Sequence, residues 1–160
     1  MLVVLADTHM PKGARRLPDR CVELVSRAEA VIHAGDFFAV SVLAEIEALC
    51  STVHAVHGNV DQPALRERLP ERTEIAVGGH RLGLVHDAGP AKGRLARMRA
   101  AFPRADAVVF GHSHLPLHET DADGFQIFNP GSPTERRRAP QRSMGLLRVA
   151  AALEFEHVWL

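Results

Sequence analysis

Three short apolar runs, each separated from the next by a stretch with helical spacing, fill the first 56 residues, and they restrict the fold more than any other feature. Residues 2–6 (LVVLA) are a continuous apolar run of buried-strand length, and residues 30–33 (AVIH) and 52–56 (TVHAV) are two more. Leu17, Cys21, Leu24, Val25 and Ala28 recur at helical spacing after the first run, with Pro18 near the start. Val42, Leu43, Ile46 and Leu49 do the same after the second. Strand, helix, strand, helix, strand predicts parallel pairing through right-handed crossovers.

The second half changes pattern. Residues 72–85 (RTEIAVGGHRLGLV) predict two strands around a Gly78-Gly79 turn. Leu95, Met98 and Phe102 predict one further helix, ended by Pro103, and residues 106–110 (DAVVF) a strand. PLHET and FQIF flank an ADG turn, and SMGLLRV with LEFEHVW closes the sheet system. In the last segment Leu153, Phe155 and Trp159 lie on one side of a half-buried strand, with Glu154 and Glu156 on the other.

A chain of 160 residues fits one domain, residues 1–160, and buries about two-thirds of its unfolded surface. Nineteen basic and nineteen acidic residues cancel, which argues against a surface built for polyanions and makes nucleic acid an unexpected partner. Cys21 and Cys50 form neither a framework nor a C-x-x-C pair and read as small buried hydrophobes. The chain opens on MLVVLADTH, without a basic leader or a span-length apolar run. A cytoplasmic protein with no membrane partner is expected. Ten histidines are the one compositional oddity, and they invite a search for metal ligands.

In open α/β sheets, ligands bind beyond the carboxyl ends of the strands. The residues there are Asp7 and His9 after the first run, Asp36 after the second and Asn59 after the third. His86 follows the hairpin, and His112 and His114 follow residues 107–110. Seven donors are too many for one tetrahedral zinc but suit two ions bridged by one carboxylate. Mixed carboxylate, amide and imidazole ligation favours Mn²⁺, Fe²⁺, Zn²⁺ or Ni²⁺ over Ca²⁺.

D-x-H, G-D, G-N, a strand-end histidine and G-H-x-H, in that order, resemble the calcineurin-like metallophosphoesterases. The GNVD and NPGS segments resemble their compact bacterial and archaeal phosphodiesterase branch. The resemblance runs from Asp7 to Ser132. It implies an α/β fold, a four-layer αββα sandwich of two mixed sheets. It implies one divalent ion on Asp7, His9, Asp36 and His114, and a second on Asp36, Asn59, His86 and His112. Asp36 is then the bridge, and manganese the first choice of metal. The implied reaction is hydrolysis of a small phosphodiester substrate by a hydroxide held between two ions.

The chain departs from the family at two places. Where many members carry a leaving-group histidine it has Val60, and where the branch often has glycine after the strand-end histidine it has Asp87. The candidates for a substitute acid are His57, two residues before Asn59, or a metal-bound water. Activated aryl diesters are therefore expected to react faster than alkyl ones. Arg136, Arg137 and Arg138 are candidates to clamp an anionic substrate, although a solvated basic loop is the preferred reading. His33 and His54 read as packed strand residues, and NPGS as a turn. Asp61 is expected to cap the helical segment after it rather than to orient the Asn59 loop. His80, His118 and His157 are assigned no role. Rival functions are a phosphomonoesterase or nuclease, or a metal-binding scaffold or regulatory module. The complete donor set favours an enzyme. A homodimer fits the branch.

Overall fold

The computed structural model describes residues 1–160. The first half forms β1 (Leu2–Leu5), α1 (Asp19–Ser26), β2 (Ala30–His33), α2 (Val40–Leu49), β3 (Val53–Ala55) and α3 (Pro63–Arg68). The second half forms β4 (Arg72–Val77), β5 (His80–Val85), α4 (Arg94–Ala101), β6 (Ala107–Val109), β7 (Leu117–Thr120), β8 (Gln126–Asn129), β9 (Ser143–Val149) and β10 (Leu153–Trp159).

Two five-stranded sheets result, ordered β10-β9-β1-β2-β3 and β4-β5-β6-β8-β7. In the first, β1, β2 and β3 are parallel, and β9 joins β1 antiparallel. In the second, β5, β6 and β8 are parallel and the hairpin partners β4 and β7 are antiparallel at the edges. Both sheets are mixed, as expected.

Strand side chains alternate between faces, so the continuous apolar runs serve two interfaces each. Val3 and Leu5 join Cys21, Leu24, Val25, Val42, Leu43 and Ile46 under α1 and α2. Leu2, Val4 and Ala6 face the other way, into a core shared with Leu82, Leu84, Ala107, Val109 and Phe128 of the second sheet. Val108, Phe110 and Ile127 leave the outer face of that sheet and meet Met98 and Phe102 beside α4. Helices, sheet, sheet and helix make the four layers. β1 and β6 are buried on both faces, which is why neither shows polar alternation.

Two details differ from the sequence reading. Trp159 is half exposed, at 50 %, rather than inward-facing, because β10 is an edge strand whose far end passes beyond the inter-sheet core. Nor does Asp61 cap α3. The cap position belongs to Gln62, and no side chain bonds the helix end there. The Asp61 carboxylate turns back into the loops instead. No helix is long and apolar enough to cross a membrane.

Candidate metal centre

Parallel pairing between β1 and β2 does not stop where the strands do. Asp7 N–H donates to the Gly35 carbonyl at 3.0 Å, His9 N–H to Asp36 at 3.0 Å and Met10 N–H to Phe37 at 2.9 Å. The two loops that carry Asp7, His9 and Asp36 therefore run side by side. Gly111 N–H donates to the His86 carbonyl at 2.9 Å and ties the second-sheet loops together in the same way.

Within these loops the backbone is bent into the left-handed region at Asp7, His9, Asp36, His112 and His114, with φ between 47° and 69°. Such conformations cost about 1–3 kcal/mol for a residue with a Cβ and persist where the surroundings over-determine them. Here they turn five side chains out of the strand direction and into one space.

The structure brings all seven expected donors together. His9 Nε2 and His86 Nε2 each lie 3.2 Å from Asp36 Oδ2. His114 Nε2 is 3.5 Å and His9 Nε2 3.8 Å from Asp7 Oδ1. Asn59 Oδ1 sits 3.0 Å from both His86 Nε2 and His112 Nδ1. Ligand atoms of Asp7, His9 and His114 all fall within 4.8 Å of one another, and so do those of Asp7, Asp36 and His86. Asp7 thus reaches both ends of the cluster, a breadth the motif order does not reveal.

Burial sharpens the case that something is held here. Asp7 Oδ2, His9 Nε2 and His114 Nε2 are buried without a hydrogen-bond partner. Orphaned buried polar atoms cost about 1–3 kcal/mol each, and three that converge are a poor apolar core but a good ligand set. The far nitrogens are fixed. His86 Nδ1–H donates to the Ala34 carbonyl at 2.8 Å and His114 Nδ1–H to the Glu135 carbonyl at 3.2 Å. Each leaves its Nε2 lone pair facing the cluster, the arrangement a divalent cation requires.

The charges respond to one another. Burial alone would raise the Asp36 carboxyl, but His86, His9 and the Val60 N–H hold it far below the usual range. Burial opposes a charge on His9, yet the carboxylates of Asp36 and Asp7 outweigh it and lift the imidazole to about 9. His86 is raised for the same reason, burial again being outweighed by Asp36. Burial lowers His114.

Three supporting features escape a reading by motif. The Asp61 carboxylate accepts N–H groups from Phe38 and Gly58 at 2.7 Å and from Asp36 at 3.1 Å, joining the loops after β2 and β3. Gly58 is required there, since a Cβ would lie 2.0 Å from Asp36 Oδ1. The NPGS segment is more than a turn. Ser132 Oγ donates to the Asp7 carbonyl at 2.8 Å and Thr134 Oγ1 to that of Thr8 at 2.7 Å. This clasp puts Glu135 Oε2 3.8 Å from His9 Nδ1 and 3.7 Å from His114 Nδ1, with Arg15 on its other oxygen at 3.2 Å. Finally, Arg66 donates to the backbone carbonyls of Asn59 and Asp61.

A cavity of about 260 Å³ opens beside Asn59, His86 and His112, lined also by His57, Gly58, Arg66, Glu71, Val85 and Asp87. None of the three candidate clamp arginines lines it. Arg136 bonds the Ala139 carbonyl in its own loop at 3.2 Å, and Arg137 lies 3.7 Å from Glu135. Arg138 is exposed. His33 is fully buried, stacked on Phe37 at 3.6 Å and bonded to Thr8, a packing role as expected.

The sequence profile of the calcineurin-like phosphoesterase superfamily domain matches residues 1–152. The chain belongs to that superfamily. A probable metallophosphoesterase of Methanothermobacter thermautotrophicus is 30 % identical over 139 residues, covering 86 % of this chain and 79 % of the relative. Among solved structures, an archaeal phosphodiesterase superposes with a TM-score of 0.77 at 20 % identity, over 99 % of each chain. Vps29 from Entamoeba histolytica, complexed with zinc, superposes with a TM-score of 0.78 at 21 % identity, over 99 % of this chain and 98 % of that one. The calcineurin-like fold and its divalent-metal chemistry therefore frame the donor cluster.

Proposed function

We propose that this metallophosphoesterase is a dinuclear phosphodiesterase. The observation that carries the reading is the convergence of seven donors around three buried atoms that make no well-formed hydrogen bond in the protein, Asp7 Oδ2, His9 Nε2 and His114 Nε2. One ion is assigned to Asp7, His9, Asp36 and His114, and the other to Asp36, Asn59, His86 and His112. Manganese is the preferred metal, with nickel, iron or zinc as alternatives. When bound, such a pair activates water as a nucleophile and offsets charge on phosphoryl oxygens.

The chain's own groups do the rest. Asn59 supplies a neutral oxygen, so the ligands do not cancel all of the metal charge. Val60 offers only its backbone N–H, which donates to Asp36 Oδ1 at 3.0 Å, so a proton for the leaving oxygen must come from elsewhere. His57 lines the cavity, and its Nδ1–H donates to the Gly58 carbonyl at 3.3 Å, so as an imidazolium it would carry a second proton, on Nε2, to give to the leaving oxygen. Arg137, close to Glu135 on the His9–His114 side, is assigned to steering of the anionic substrate, with Arg136 and Arg138 in the same loop.

Hydrolysis of bis-p-nitrophenyl phosphate and of p-nitrophenyl phosphate by metal-stripped protein, with Mn²⁺, Ni²⁺, Zn²⁺ and Mg²⁺ added back, tests the reading. Metal-dependent diester cleavage that Asp36→Asn abolishes is the expected result. Faster monoester cleavage favours the phosphomonoesterase alternative, and metal binding without turnover of either ester favours a scaffold or regulatory module.

A further inference from the structure

We propose that the cavity beside Asn59, His86 and His112 is a subsite for a small polyol, the hydroxylated alcohol part of a phosphodiester. The inference rests on the phosphodiesterase reading, which places the phosphoryl group among the seven donors and one ester arm in this cavity.

Size comes first. At about 260 Å³ the cavity falls below the roughly 300–1,000 Å³ of clefts that hold drug-sized ligands, which suits a single arm of the ester rather than a larger group. Lining chemistry narrows the choice. Val85 is the single apolar wall, and neither Phe nor Trp contributes, so a large apolar arm finds little surface to bury itself against.

Charge then decides among polar arms. Glu71 and Asp87 present carboxylates, which repel a second phosphate or a carboxylate. Asp87 Oδ1 accepts the Gly89 N–H at 2.7 Å, which leaves Oδ2 free to accept another donor. A quaternary ammonium arm would need an aromatic cage that this lining lacks. Arg66 is held by the Asn59 and Asp61 carbonyls through Nη2 and Nε, which leaves Nη1 as a preoriented donor. A hydroxyl both donates and accepts. Vicinal hydroxyls can donate to Glu71 and Asp87 while accepting from Arg66, so a glycerol- or ribose-like arm uses every charged group in the wall.

Product analogues test this without interference from leaving-group acidity. Dissociation constants of glycerol 1-phosphate, propyl phosphate and phenyl phosphate are measured by calorimetry on manganese-loaded protein, alongside turnover of bis-p-nitrophenyl phosphate. Glycerol 1-phosphate is expected to bind about tenfold more tightly than propyl phosphate, the value of one hydrogen bond to a charged group. In Glu71→Ala and in Glu71→Ala/Asp87→Ala that ratio falls to about two or less. A ratio near one in the native protein, tightest binding of phenyl phosphate, or a ratio that survives both variants overturns the inference. Absent diester turnover with the ratio intact faults the phosphodiesterase reading alone.

Discussion

Replacement of Asp61 by asparagine tests how the site is assembled without replacing any proposed ligand. The carboxylate is buried, 4 % exposed, and accepts three backbone N–H groups. Phe38 donates to Oδ1, while Gly58 and Asp36 share Oδ2. An asparagine has one acceptor oxygen. Its better orientation keeps the Gly58 and Asp36 bonds and turns an NH₂ group toward the Phe38 N–H, so one bond is lost outright and two lose their charge. A hydrogen bond to a charged group is worth about 1.5–3 kcal/mol, so Asp61→Asn should cost about 2–4 kcal/mol. For a chain of this length that lowers Tm by roughly 4–15 °C. Thermal unfolding of the metal-stripped protein isolates this effect from metal linkage, and titration with Mn²⁺ then measures the second consequence. Affinity should fall about tenfold or more, because the loops that present Asp36 and Asn59 lose their common anchor. A melting temperature within 1 °C of the native protein, or unchanged metal affinity, refutes the claim that Asp61 fixes the two loops.

Two further outcomes follow from neighbouring groups. His33 is fully buried, and burial together with the nearby His86 lowers its pKa to about 3, so below about pH 6.5 the unfolded chain takes up a proton that the native protein refuses. Its contribution is present above pH 6.5 and is lost as pH falls toward 3, by up to about 1.4 kcal/mol per pH unit. Urea unfolding of metal-stripped protein between pH 7 and 4 should show that slope, reduced in His33→Gln, and equal slopes in the two proteins would contradict it. Glu135 faces the far nitrogens of His9 and His114, so Glu135→Gln should weaken metal binding about 10–100-fold with little change in metal-free Tm, as read by Mn²⁺ titration.

Most of the architecture is legible in the chain because each layer leaves its own period. Continuous runs mark strands buried on both faces, and Gly78-Gly79 marks the β4–β5 hairpin with both strands at their expected bounds. Ligands were legible as polar residues placed after apolar runs. Their supports were not. Asp61 was expected to cap a helix because a carboxylate before a helix usually does. Its actual partners are backbone N–H groups, including one 25 residues away, and side-chain identities do not show them. The Ser132–Asp7 bond spans 125 residues and forms only once β9 lies beside β1. Left-handed backbone at Asp7, His9, Asp36, His112 and His114 is equally silent, since only glycine advertises that conformation in a sequence. Nothing in the sequence singles out Arg66, which the fold brings into the cavity lining, whereas the conspicuous arginine loop lies outside it.

The central claim is that seven side chains hold two divalent ions. Crystals soaked in Mn²⁺ and measured at the manganese absorption edge test it directly. Two anomalous peaks are predicted, one against Asp7, His9 and His114, the other against Asn59, His86 and His112, with Asp36 touching both. A single peak, or none among these residues at saturating metal, contradicts it.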